Sequence, residues 1–132
     1  MPLRFIKLPS GRSLAYVRPR IETDVRFNKP KLTYEGIEQG TKQWGRLSTY
    51  GGKLTENIVQ AIARDCLAEA MLRLDRAGYK IVFHVHDEVI LDVPNGFGSL
   101  NGVNKIMGEP IEWAPGLPLK ADGFETSYYK KD

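Results

Sequence analysis

From Lys53 to Ala77 the chain carries neither glycine nor proline, and Ala, Leu, Glu and Arg dominate the run. A segment of that make-up forms a long α-helix. Val59, Ile62, Cys66, Ala70, Leu74 and Ala77 recur at three- and four-residue spacing, which predicts one buried stripe along it. Gly78 is placed to end the helix. A helix with a single apolar stripe needs a surface to cover, and the flanking segments read as strands. Residues 3–8 and 13–17 alternate apolar and polar positions around a turn at Pro9-Ser10-Gly11-Arg12, which predicts a hairpin. Residues 18–30 contain Pro19 and Pro30 and read as a loop with a short extended piece. Residues 31–36 and 43–49 read as a further strand pair, turning near Gly40. Residues 79–85 and 89–93 are apolar and β-branched, and they flank the polar His86-Asp87-Glu88, which predicts a tight hairpin. After a loop at 94–98, residues 99–108 read as a short helix, and 117–129 as an extended segment ending on the sheet. The expected architecture is an α+β single domain over residues 1–132. It has an antiparallel β-sheet with the long helix packed on one face.

The chain of 132 residues is 42% apolar and 27% charged, an ordinary soluble composition. It excludes a wholly disordered chain, a collagen-like repeat and a disulfide miniprotein. No apolar run approaches the roughly 18 residues of a membrane span, and no apolar signal core follows Met1-Pro2-Leu3-Arg4. A single cysteine, Cys66, forms no internal disulfide and points to a reducing compartment. The net charge of +3 conceals a division. Residues 1–53 hold eleven Lys/Arg against four Asp/Glu, whereas residues 54–132 hold eight against twelve. A basic half suits a polyanion such as nucleic acid; a solvated mixed surface is the plainer alternative.

Asp87 is the strongest candidate for chemistry. A carboxylate at the tip of an apolar hairpin is rigidly held yet exposed, which suits Mg²⁺. Glu88 follows directly but points to the opposite face in a strand, so the pair does not chelate one ion unless the turn twists it. A polar hairpin tip with no ligand is the alternative. His84 and His86, two apart on a strand, would share a face in the manner of zinc ligands, but no third histidine exists. Gly51-Gly52-Lys53 opens the long helix like a phosphate-cradling turn, without the spacing of a P-loop. On the first helical turns Glu56, Asn57, Gln60 and Arg64 offer polar groups, and Gln60 and Arg64 share a face. Minor-groove contact and simple solvation both fit them. Cys66 reads as a core residue.

Several segments together resemble the C-terminal palm of a family A DNA polymerase of the bacteriophage and prophage type. They are Leu8-Pro9-Ser10-Gly11-Arg12 with Leu14-Ala15-Tyr16, the run Thr49 to Ala61 continuing into Ala63-Arg64-Asp65, Val85-His86-Asp87-Glu88-Val89, and Gly116 to Gly123. The third of these matches the polymerase motif called C, and the likeness covers nearly the whole chain. The resemblance implies a polymerase palm with a catalytic β-hairpin and template-directed nucleotidyl transfer by two Mg²⁺ ions. Asp87 would be one of two metal-binding aspartates, with Glu88 beside the site. His86 would sit against the primer terminus. Gln60 would contact the minor groove near the new base pair, with Asn57 and Lys53 on the same duplex. Primer–template DNA is the implied partner, and the implied location is the cytoplasm of a bacterial or phage-infected cell.

The departures shape the expectation further. The family's first metal aspartate lies in an Asp-Tyr-Ser-x-Ile-Glu-like strand, and no such segment exists here. The fingers helix that grips the triphosphate is absent as well. The chain is therefore expected to be a fragment, one half of a split enzyme or a decayed remnant, and not to polymerise DNA alone. It would meet a dNTP only in a complete enzyme and would need a complementary polymerase fragment. A non-catalytic DNA-binding module and a His84/His86/Asp87 zinc hydrolase are the competing expectations.

Overall fold

The computed structural model describes residues 2–131. They form an α+β structure that divides into two compact units, one ending at Ile62 and the other beginning at Ala63.

The first unit is built on a four-stranded antiparallel sheet of β1 (Leu3–Lys7), β2 (Ser13–Asp24), β3 (Lys29–Ile37) and β4 (Trp44–Thr49), in sequential order. Residues 18–30, expected as a loop, are mostly strand. Both prolines are accommodated without ending the ladder. Pro19 falls within a register shift between Val17 and Arg20, where Arg18 adopts φ 43°. A bulge tolerates the missing N–H that a regular central ladder does not. Pro30 pairs with Thr23, next to the loop that closes the β2–β3 hairpin. On one face, Tyr16 and Tyr34 meet edge to face, with ring centroids 5.1 Å apart. The first turns of helix α1 (Gly51–Arg76) reach this face. There Asn57 Nδ2 donates to the Tyr16 hydroxyl at 3.2 Å, and an Arg12 guanidinium nitrogen donates to the Ala61 carbonyl at 3.2 Å. Leu8, Thr33, Thr49 and Ala61 are buried in this unit.

The helix begins two residues before the expected Lys53, so Gly51 and Gly52 are its first residues and not a break ahead of it. The Tyr50 ring lies close enough to Gly52 that a Cβ there would meet it at 2.9 Å. The expected stripe is partly displaced. Ala70 and Leu74 are buried, but Val59 is 59% exposed and Ala77 is exposed, while Ala61 and Leu67 are buried. Apolar spacing marked the helix correctly; its outermost members fall where no neighbouring element covers them.

In the second unit, α1 closes as a Schellman motif. Gly78 takes φ +91° and donates to the Asp75 carbonyl at 3.0 Å, and Tyr79 donates to the Leu74 carbonyl at 3.0 Å. Leu74 and Tyr79 are both buried, supplying the apolar contact that accompanies this cap. Strands β5 (Ile81–Val85) and β6 (Glu88–Leu91) form a separate two-stranded sheet, not an extension of the first. Helix α2 (Leu100–Met107) is capped by Ser99, whose Oγ accepts from the Gly102 N–H at 3.0 Å. The Arg73 guanidinium donates to the carbonyls of Glu109 and Pro110 at 2.9 and 2.7 Å, beside the buried Ile111. Residues 117–129 form no strand. Tyr129 nevertheless reaches the β5–β6 hairpin, its ring 5.1 Å from that of Phe83. No helix among the described residues is long and apolar enough to cross a membrane.

Candidate functional site

The β5–β6 hairpin pairs Val85 with Glu88, so His86 and Asp87 alone make its turn. A two-residue turn needs a positive φ, because only the primed turn types match the twist of the flanking strands. His86 supplies it, at φ 52°. A side chain in that region costs free energy that glycine avoids, and the turn tolerates it because the strands on both sides are paired. Asp87 is thereby held at the apex, with its side chain exposed. Glu88 is already the first residue of β6 and is half-buried.

The two histidines do not form a zinc pair. His84 lies in β5, where the Arg64 guanidinium meets its Nδ1 at 3.0 Å and its Nε2 at 3.3 Å. His86 has left the strand, so the alternation that would put both imidazoles on one face stops at Val85. Among the described residues no group of three or more His, Cys, Asp or Glu is placed to hold a metal ion. Asp87 presents an exposed carboxylate at the apex of the turn.

Lys53, Glu56 and Gln60, near the start of α1, form a second polar cluster. Glu56 lies between two of its neighbours: one carboxylate oxygen meets Lys53 Nζ at 3.3 Å, and the other accepts from Gln60 Nε2 at 3.2 Å. Lys53 and Gln60 are both exposed. Asn57 turns instead towards the sheet and Tyr16. Of the expected DNA-contacting residues, Lys53 and Gln60 are thus brought together, and Asn57 has a structural partner. These three belong to the first unit, and His86, Asp87 and Glu88 to the second. The role of Glu56 was open to its i,i+3 and i,i+4 spacing from Lys53 and Gln60. The Arg64–His84 contact had no local signal, since twenty residues separate the two.

Cys66, one turn beyond Ile62, is half-buried. Burial pushes its thiol pKa up, and the neighbouring Asp65 charge adds to the rise. A thiol held in its neutral form is a poor nucleophile, so Cys66 is set apart from the polar clusters.

No family model matches the chain, and no solved structure matches it. It is 67% identical over 129 residues, 97% of its length, to a protein of Bacillus phage SP02 named DNA polymerase. The chain spans 20% of that relative's length. What the hairpin, the helix and the sheet make up is thus similar to a fifth of a phage DNA polymerase.

Proposed function

We propose that the chain is the palm portion of a family A DNA polymerase, in which Asp87 carries one of the metal-binding carboxylates of template-directed nucleotidyl transfer. The observation behind this reading is the apex position of Asp87, within a chain so similar to a phage DNA polymerase. An exposed carboxylate on a two-residue turn fits one place in the shell of Mg²⁺, an ion that takes one or two carboxylates and leaves its other positions to water and phosphate oxygens. Such ions supply Lewis acidity at the primer hydroxyl and at the leaving pyrophosphate. The second carboxylate would be supplied by another segment of the polymerase, since no Asp-Tyr-Ser-x-Ile-Glu-like strand occurs in this sequence.

The chain's own side chains then divide the work. Asp87 would hold the ion, with Glu88 next to it in the chain. His86, in its left-handed conformation, faces the primer terminus. Gln60 and Lys53 meet the minor-groove side of the duplex, and Asn57 supports them from its bond to Tyr16. Duplex binding competes with Glu56 for both Lys53 and Gln60. By itself the chain does not extend a primer.

The test is a chimera in which this chain replaces the corresponding fifth of the phage relative. Primer extension by the chimera, lost on Asp87→Ala, supports the reading. Equal extension with and without Asp87 overturns it. A chimera that folds and binds primer–template but never extends favours a non-catalytic DNA-binding module.

A further inference from the structure

The β2–β3 hairpin ends in a four-residue loop, 25–28, closed by the pair Asp24 and Lys29. Its conformation is set locally. Asp24 Oδ1 accepts from the Arg26 N–H at 2.9 Å, an Asx turn, and Asn28 takes the left-handed φ of 49° that asparagine tolerates. This loop exposes large apolar groups where a solvated hairpin would carry polar ones: Val25 is 94% exposed and Phe27 is 68% exposed. Arg26 and Lys29 alternate with them, and among the described residues neither side chain meets a carboxylate. On the strands of the hairpin Arg18 and Arg20 pair with Glu35 and Glu22, whereas Lys31 meets no carboxylate among the described residues.

An accessible aromatic ring flanked by two free cations is the arrangement that binds single-stranded nucleic acid, with a base stacked on the ring and phosphates against the charges. A duplex offers no free base face to such a ring. We infer that the 25–28 loop binds unpaired DNA, with Phe27 as its stacking platform and Arg26 and Lys29 as phosphate contacts. This rests on the polymerase reading, which supplies a substrate with an unpaired template strand, and it adds a contact outside the motifs that carry that reading. The strands pair without interruption from Arg20–Thr33 to Asp24–Lys29, up to the loop itself.

The experiment measures anisotropy of the full chain with a labelled DNA hairpin. One form is blunt, and the other carries an overhang of about ten thymidines, a length within the usual span of single-strand sites. The overhang is expected to tighten binding. Phe27→Ala should weaken overhang binding about tenfold, with Phe27→Trp restoring it and blunt-duplex binding unchanged. Removing Arg26 and Lys29 together should make the log–log salt slope shallower by about 1.4, at roughly 0.7 per phosphate contact on a single strand. If Phe27→Ala binds the overhang as the parent does, the loop is not the site, while the polymerase reading stands on its duplex affinity. If the parent binds neither DNA, both readings fall. If the loop cross-links to a protein and leaves the overhang untouched, a protein partner replaces DNA. All of these positions are exposed, so the variants keep the fold, and circular dichroism checks this.

Discussion

Arg46 Nη1, on β4, reaches over β3 to donate to the Arg18 carbonyl of β2 at 3.0 Å. On the way it donates to the buried Thr33 Oγ1 at 3.1 Å. The same guanidinium approaches Glu35 at 3.7 Å and Glu22 at 4.0 Å. One side chain therefore spans three strands at the point where the ladder is interrupted. Arg46→Ala is expected to destabilise the chain by about 1–3 kcal/mol, through lost charge-assisted bonds and a partly desolvated bulge. Arg46→Lys should recover only part of this, since an ammonium lacks the planar fork. Urea denaturation of the three proteins measures it. A cost within experimental error for Arg46→Ala would show that the bulge holds without the clamp.

Asn57 and Tyr16 provide a separable test of structure against DNA contact. Tyr16→Phe removes the acceptor and should cost about 0.5–1.5 kcal/mol. Asn57→Ala should cost a similar amount, and the double variant less than the sum, because both lose the same bond. Full additivity in thermal melts would place Asn57's contribution elsewhere.

His86 is in a conformation that asparagine adopts more readily. His86→Asn is expected to raise stability by about 0.5 kcal/mol. In the chimeric polymerase it should at the same time slow primer extension, since the imidazole is then missing from the primer terminus. Stability and activity moving in opposite directions is the signature of strain kept for use.

Gly98 has φ +62°, and a Cβ there would run into the Tyr79 hydroxyl and ring. Gly98→Ala combines backbone strain with overpacking, and a loss of about 1–3 kcal/mol is expected. Thermal denaturation reads it directly. Gly11, also at positive φ but with open space around it, should cost less on the same substitution.

The Cys66 thiol has its pKa raised above the ordinary 9.0, by burial first and by Asp65 second. The unfolded chain releases this proton at lower pH than the folded chain does. Stability is therefore unaffected below the unfolded-state value and falls as pH rises from there through the folded-state value. Cys66→Ala should flatten the alkaline limb of a pH–stability curve. A thiol probe should react slowly at neutral pH in the native chain and quickly in denaturant.

Local chemistry made much of this fold legible. The Gly/Pro-free run marks α1 and Gly78 its end, and the apolar runs around His86-Asp87-Glu88 mark the β5–β6 hairpin, whose turn is one residue shorter than expected because Glu88 is already in β6. The short helix expected over residues 99–108 is α2. Pro19 and Pro30 read as strand breakers, but one occupies a bulge and the other a hairpin end, where a missing N–H is tolerated. Long-range pairing was out of reach. Nothing near Arg46 announces Arg18, and nothing near Arg64 announces His84. The outer residues of the helical stripe, Val59 and Ala77, carried the right spacing, but burial depends on what lies opposite, which spacing does not encode.

The turn at His86-Asp87 also sets how far the chain can change in length. The 25–28 loop sits at the far end of a long hairpin and can gain a residue with its strands still paired. The 86–87 turn has no such slack. One residue more or fewer between Val85 and Glu88 slips β6 against β5, and with a repeat of two every side chain from Glu88 to Leu91 changes face. Insertions and deletions in natural relatives should thus accumulate at the first hairpin and stop at the second.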